Sequence, residues 1–183
     1  MSEAMSAGVE RVDVPPVAGL DVQIGLLLAA LDDVAGKWRG ELGEVSEEVV
    51  VWQPFPGAHS IGALILHMAD VEASWLHEIG AGQPRSEEEL SLLLSRETRQ
   101  YQVQWPVPPA QPLLWYYAQQ DAVRARTRQL VRTWDDPDAA RPAYDAEFTR
   151  RWLLNHIVSH EAYHGGQAVL LSILHGHQKG LNG

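Results

Sequence analysis

Prolines and glycines fall in clusters along this chain, and the clusters leave four stretches long enough for extended helices. Gly40 and Gly43 close the first stretch, and Pro54, Pro56 and Gly57 separate it from the second, which Gly80, Gly82 and Pro84 end. Pro106, Pro108, Pro109 and Pro112 precede the third, Pro137 and Pro142 precede the fourth, and Gly176 stops that one. Such residues either lack the amide a helix needs or leave the backbone too free to hold it, so each cluster is a connection.

The stretches themselves carry the helical period. From Leu20 to Trp38, residues Ile24, Leu27, Leu28, Leu31, Val34, Ala35 and Trp38 recur at the i, i+3, i+4, i+7 spacing of an amphipathic helix. Ser60 is a suitable N-cap for a run from Ile61 to Ile79 that is apolar nearly all round at its start and belongs in an interior. Residues 113 to 134 place Tyr116, Val123, Leu130 and Trp134 near one face, with Arg124, Arg128 and Arg132 in an i, i+4 row expected to be a solvated face. Phe148 to His175 is the last helix. A short extra helix opens at Ser86-Glu87-Glu88-Glu89, whose acidic residues suit its positive end, and runs to about Tyr101. Residues 44 to 58 and 135 to 147 read as loops, and no run alternates with period two for long enough to argue a sheet. The expected fold is all-α, a four-helix bundle with one extra short helix and long proline-rich connections. With 183 residues a single core suffices: residues 1–18 are expected to be a mobile leader, 19–178 the domain and 179–183 a tail.

Inside the last helix stand His156, His160 and His164, at steps of four. A step of four turns a helix by only about 40°, so the imidazoles share one face, and adjacent pairs are able to chelate one divalent ion. His156 and His164 are two turns apart, about 12 Å along the axis, too far to share an ion comfortably. One adjacent pair must be used, and a third ligand must come from another element. His67 is the one histidine in the middle of a second apolar helix, and Ala63, Val71 and Ser74 on its face are small enough to leave room for a cavity. Several imidazoles in an apolar layer each cost about 1 to 3 kcal/mol if unpaired, a penalty that a shared cation removes for all of them. With no cysteine in the chain, any ion is held by nitrogen and oxygen.

The run from Trp52 through Pro56 to His59-Ser60-Ile61-Gly62, then His67-Met68-Ala69-Asp70, then His156-x3-His160-Glu161-x2-His164-x-Gly166-Gln167, resembles the DinB/YfiT-like superfamily of metal-dependent four-helix-bundle proteins. The resemblance spans about residues 20 to 176. It implies a metal held by His67, His160 and His164, with His156 lining the cavity or standing behind the ligands. Zinc is the first expectation, with nickel, iron or manganese as alternatives, since imidazole suits several ions. It also implies a transferase that joins a low-molecular-weight thiol of the bacillithiol or mycothiol type to an electrophilic substrate in detoxification or stress response. Homodimers occur in the family, and Trp105 and Trp115 beside the proline-rich break would serve either an interface or the core.

The same residues fit other readings. His160-Glu161-x-x-His164 satisfies the H-E-x-x-H pattern of zinc proteases, with Glu161 as base, but no third ligand follows at metzincin spacing and no strand-rich half is present to align a peptide. Glu161 is therefore expected to form a salt bridge or to orient a ligand imidazole. Tyr163 and Gln167 face the histidines, and Asp70 is placed to accept a hydrogen bond behind His67. Gly165 and Gly166 imply close approach of another helix. His59, His77, His175 and His177 are expected at the surface. A three-imidazole ion keeps an open position, and the reacting group is then a metal-bound water or a thiolate. A metal-dependent hydrolase of small amides or esters and a non-catalytic metal-binding stress protein are the alternatives to the transferase. Net charge of −10 argues against nucleic acid as partner, and the absence of a basic-then-apolar amino terminus or of roughly 18 consecutive apolar residues argues for a cytoplasmic protein without a membrane span.

Overall fold

The structure, a computed structural model, describes residues 11–95 and 104–181. Four long helices form the bundle. Helix α1 is Val22–Leu42, α3 is Ile61–Glu72, α5 is Leu113–Val131 and α6 is Arg150–Leu181; short helices α2 (Glu47–Val51) and α4 (Glu87–Leu92) lie in the connections. Asp21 caps α1 by accepting from the amides of Gln23 and Ile24, and the helix runs through Gly40 to end at Gly43, whose φ of +61° suits glycine. Ser60 caps α3 as its position suggests, accepting from Ala63 N. Ser86 and Glu89 form a reciprocal capping box at α4. The helix does not run on toward Tyr101 as expected: it ends at Leu92, Leu94 takes a φ of +54°, and residues 96–103 lie outside the described residues.

Three elements were not expected. Helix α2 lies within residues 44–58, read as a loop, and Glu47 and Glu48 stand in its first turn. The last part of the second helical run, Ala73–Ile79, is π-helical, and the Gly80 amide reaches back to Trp75 O, an i→i+5 bond. The loop before α6 folds as a hairpin of β1 (Ala140–Ala143) and β2 (Ala146–Thr149), paired antiparallel with Ala143 opposite Ala146. The two-residue turn places Tyr144 at φ +53°, and Pro142 is tolerated because a two-stranded ribbon has only edges.

α6 packs along α1 and against α3, and α3 packs against α5. The interior divides into two apolar clusters. One gathers Trp38, the start of α3, Tyr116, Val123 and Ala168; the other gathers Ile24, Leu28, Leu31, Leu76, Leu130, Leu153 and Ile157. Between them, at the waist of the bundle, lies a buried polar layer that includes Glu72, Gln120, Arg124, Thr127 and Glu161. Arg124 departs from the expected solvated face: it is only 4% exposed, because Glu72 and Glu161 on neighbouring helices neutralise it. Arg128 and Arg132 are exposed as expected. Among the described residues, no helix is long and apolar enough to cross a membrane.

Candidate metal centre

The waist also holds the histidines. His67 comes from α3, where every residue from Ile61 to Asp70 is buried, and His160 and His164 come from successive turns of α6. Each offers a nitrogen, and the three nitrogens lie within 4.8 Å of one another. His67 Nε2 and His160 Nε2 are 3.2 Å apart. Bonds of 2.0 to 2.1 Å in a tetrahedral site separate ligand nitrogens by roughly 3.3 Å, so this pair is at chelating distance. His164 Nδ1 donates to Gln167 Oε1 at 2.7 Å, which leaves Nε2 as the lone-pair nitrogen.

Burial keeps these rings neutral, the form that binds a cation. It lowers His67 to about 3, helped by His164 and His59, and His160 to about 2, helped by His164 and His67. His164 is lowered by the same burial. Two facing Nε2 atoms with no ion between them are able to share only one hydrogen, whereas a divalent ion uses both lone pairs. His67 Nδ1 is buried without a hydrogen-bond partner, and the ring is held by packing, with Trp105 edge-on at 5.0 Å. The donor set, the spacing and the neutral state therefore fit a divalent cation, without selecting among zinc, nickel, iron and manganese.

The other expected site residues are distributed around this centre. Asp70 does not accept from His67; it is engaged by the wholly buried guanidinium of Arg85, which also binds Glu78 at 2.9 Å. His156 lies one turn outside the three, 6.1 Å from His160 by ring centroids, stacked on Trp152 and edge-on to Trp75. Tyr163 touches the His164 ring but is 64% exposed. Glu161 is buried and turned toward α1 and α5, where Trp38 Nε1 donates at 2.8 Å, Gln120 Nε2 at 2.9 Å and Arg124 at 3.3 Å. Its carboxylate forms the expected salt bridge, with Arg124 rather than with a ligand imidazole. Burial raises its pKa, opposed by Arg124. Gly165 justifies its place: a Cβ there would stand 2.5 Å from Trp38 Cδ1, whereas Gly166 faces open space.

Beside His67 a cavity of about 690 Å³ opens, lined also by Val71, Ser74, Trp75, Glu78 and Tyr144. Val71 and Ser74 were legible as small neighbours of His67. Trp75, at i+8 from His67, follows from the same spacing but was not singled out, and Tyr144 arrives only because of the hairpin. Three histidines expected at the surface are drawn inward. His59 is half-buried, with its ring 4.1 Å from that of Trp105 and 6.5 Å from that of His164. His77 is 1% exposed and bonded to Thr127 Oγ1 at 3.0 Å, and His175 is buried beside Trp52. Only His177 is exposed as expected. Trp105 is buried against His59 and His67, held by Gln53, whose amide donates to Ala58 O and Trp105 O and accepts from Gly57 N.

None of the curated proteins matches the chain at a significant level. A crystal structure of a conserved protein from Enterococcus faecalis is similar over 80% of this chain and 93% of its own, with a TM-score of 0.53 and 16% sequence identity, a likeness that speaks to the fold. The family model described as the DinB superfamily matches residues 27–168, from within α1 to just beyond His164. With its helical bundle and a three-histidine group able to hold a metal ion, this chain belongs to the DinB superfamily.

Proposed function

We propose that the protein is a divalent-metal-dependent transferase that joins a low-molecular-weight thiol to an electrophile, serving detoxification or stress response in the cytoplasm. The observation that carries this reading is the convergence of His67, His160 and His164 next to a cavity large enough for a small-molecule ligand. A divalent ion held by three neutral imidazoles supplies Lewis acidity at an open position. The chain's own residues do the rest. Gln167 holds His164 in one tautomer, Trp105 and the apolar start of α3 exclude water from behind the ligands, and Trp75 and Tyr144 give the cavity an aromatic wall. In the transfer, sulfur forms a bond to carbon, the leaving group departs with the electrons of the bond it breaks, and the thiol proton passes to solvent.

The test is elemental analysis of the purified protein followed by turnover of a haloalkyl bimane with bacillithiol, mycothiol or cysteine. Thiol-dependent turnover that is lost on chelation and restored by zinc, nickel, iron or manganese supports the proposal. Turnover of amide or ester probes without thiol supports the hydrolase instead. Metal bound at one equivalent with no turnover of either kind supports a binding protein.

A further inference from the structure

The H-E-x-x-H glutamate has lost its claim to be a base, yet it is among the most elaborately bonded side chains of the protein. Glu161 receives hydrogen bonds from Trp38 on α1 and from Gln120 and Arg124 on α5. The same guanidinium holds Glu72 through Nε and one terminal nitrogen at 3.0 Å each, and reaches Asp32 Oδ1 at 3.3 Å. One arginine thus ties all four long helices at a single level. The carboxylates it holds flank the ligands: Glu161 follows His160 directly, and Glu72 stands five residues after His67 on α3. Trp38 completes the grip, since its indole lies against Gly165 while its N–H binds Glu161, one turn of α6 seized from behind the two ligand imidazoles.

We propose that Glu161 and Arg124 are positioning residues for the metal centre, fixing the rotation of α6 against α3 so that His67 meets His160 and His164 at chelating distance. A helix rotated by 20° about its axis carries a side-chain nitrogen some 6 Å from that axis through roughly 2 Å, as large as a metal–nitrogen bond. A coordination site is intolerant of such a shift, whereas an apolar contact is able to repack. The role is distinct from overall stability because the contacts fix one rotation rather than add buried area. Buried polar groups of this kind exclude alternative registers, since any register that unpairs them leaves charges without partners.

The inference rests on the metal reading, and the experiment separates the two. Cobalt(II) is titrated into the metal-free full chain and followed by visible absorption, in wild type, Glu161→Gln, Arg124→Lys, Gln120→Met and Leu28→Ala. Leu28 is buried in the second apolar cluster and has no polar side-chain group to pair, so it serves as a control for stability alone. Expected are bands of a three-nitrogen site in wild type, a loss of affinity of about tenfold in Glu161→Gln with displaced bands, and smaller losses in Arg124→Lys and Gln120→Met, in keeping with outer contacts that orient ligands. Leu28→Ala keeps the wild-type affinity and bands at a comparable loss of melting temperature. Wild-type affinity and spectrum in both Glu161→Gln and Gln120→Met would overturn the proposal, as would an equal loss in Leu28→Ala. Failure of wild type to bind cobalt(II) overturns the metal reading, and this inference with it.

Discussion

Adjacent glycines in α6 offer a paired experiment in which one methyl group has opposite consequences. At Gly166 a Cβ meets nothing within 4 Å, so Gly166→Ala gains only the helix preference of alanine, about 1 kcal/mol. For a chain of this length that is a rise in melting temperature of roughly 2 to 4 °C. At Gly165 the same gain applies, but the Cβ would stand 2.5 Å from Trp38 Cδ1 and 2.8 Å from Trp38 Cβ, inside the rigid part of the side chain rather than at a flexible tip. Relieving that overlap costs about 1 to 3 kcal/mol by itself. The indole must move, and its hydrogen bond to Glu161 is then lost, which leaves a buried carboxylate short of a donor at about 1 to 3 kcal/mol more. The net loss is about 3 kcal/mol, or a fall of roughly 6 to 12 °C. Urea denaturation monitored by far-ultraviolet circular dichroism, with calorimetry for the melting temperatures, measures both. Should Gly165→Ala prove as stable as Gly166→Ala, the seating of Trp38 against α6 is wrong, and with it the support ascribed to Glu161.

Further outcomes are expected. Without metal, His67→Leu stays within about 1 kcal/mol of wild type, because removal of a buried Nδ1 that lacks a partner offsets loss of the hydrogen shared with His160. In zinc at a hundredfold its dissociation constant, wild type gains about 2.7 kcal/mol and the variant gains none, as thermal melts with and without zinc will measure. His77 is held neutral in the fold at about 4, against 6.5 when free, mainly by burial and then by Arg126. Between pH 6.5 and 4 the unfolded chain takes up a proton that the folded chain does not. His77 therefore contributes fully above pH 6.5 and loses about 1.4 kcal/mol of stability per pH unit below it, a slope that His77→Gln removes in denaturation curves across that range. Gln53→Ala leaves the carbonyls of Ala58 and Trp105 short of a donor, at a cost of about 1 to 3 kcal/mol. It also loosens Trp105 from His67, which cobalt(II) titration registers as weaker binding.

The four long helices were legible because each carries its own period and its own stops. Spacing reduced the last helix to one adjacent pair of histidines, the resemblance chose His160 with His164, and His67 followed from its place in an apolar run and from the resemblance. What escaped the sequence depends on partners far along the chain. An arginine row at i, i+4 looks like a solvated face, and only the fold brings Glu72 and Glu161 to Arg124 across 52 and 37 positions. His77 looked peripheral until α5 supplied Thr127, and His175 until Trp52 covered it. The hairpin was hidden by strands of four residues, one containing proline. Nothing in Ala73–Ile79 marks a departure from α geometry.

That departure separates two properties of the protein. Upstream, α3 delivers His67 through ordinary helical bonds, and downstream the wider π-helical turns deliver Trp75 and Glu78 to the cavity wall. Wider turns of this kind arise by insertion of a residue into an α-helix, so removal of one residue between Ala73 and Ile79 restores the α period and takes one side chain out of the stretch that lines the cavity, while the chain on either side keeps nearly its present orientation. His67, His160 and His164 keep their places while the chamber beside them changes shape. A chain of this fold is thereby able to alter what the cavity accommodates by gaining or losing a single residue there, with the three histidines left as they are.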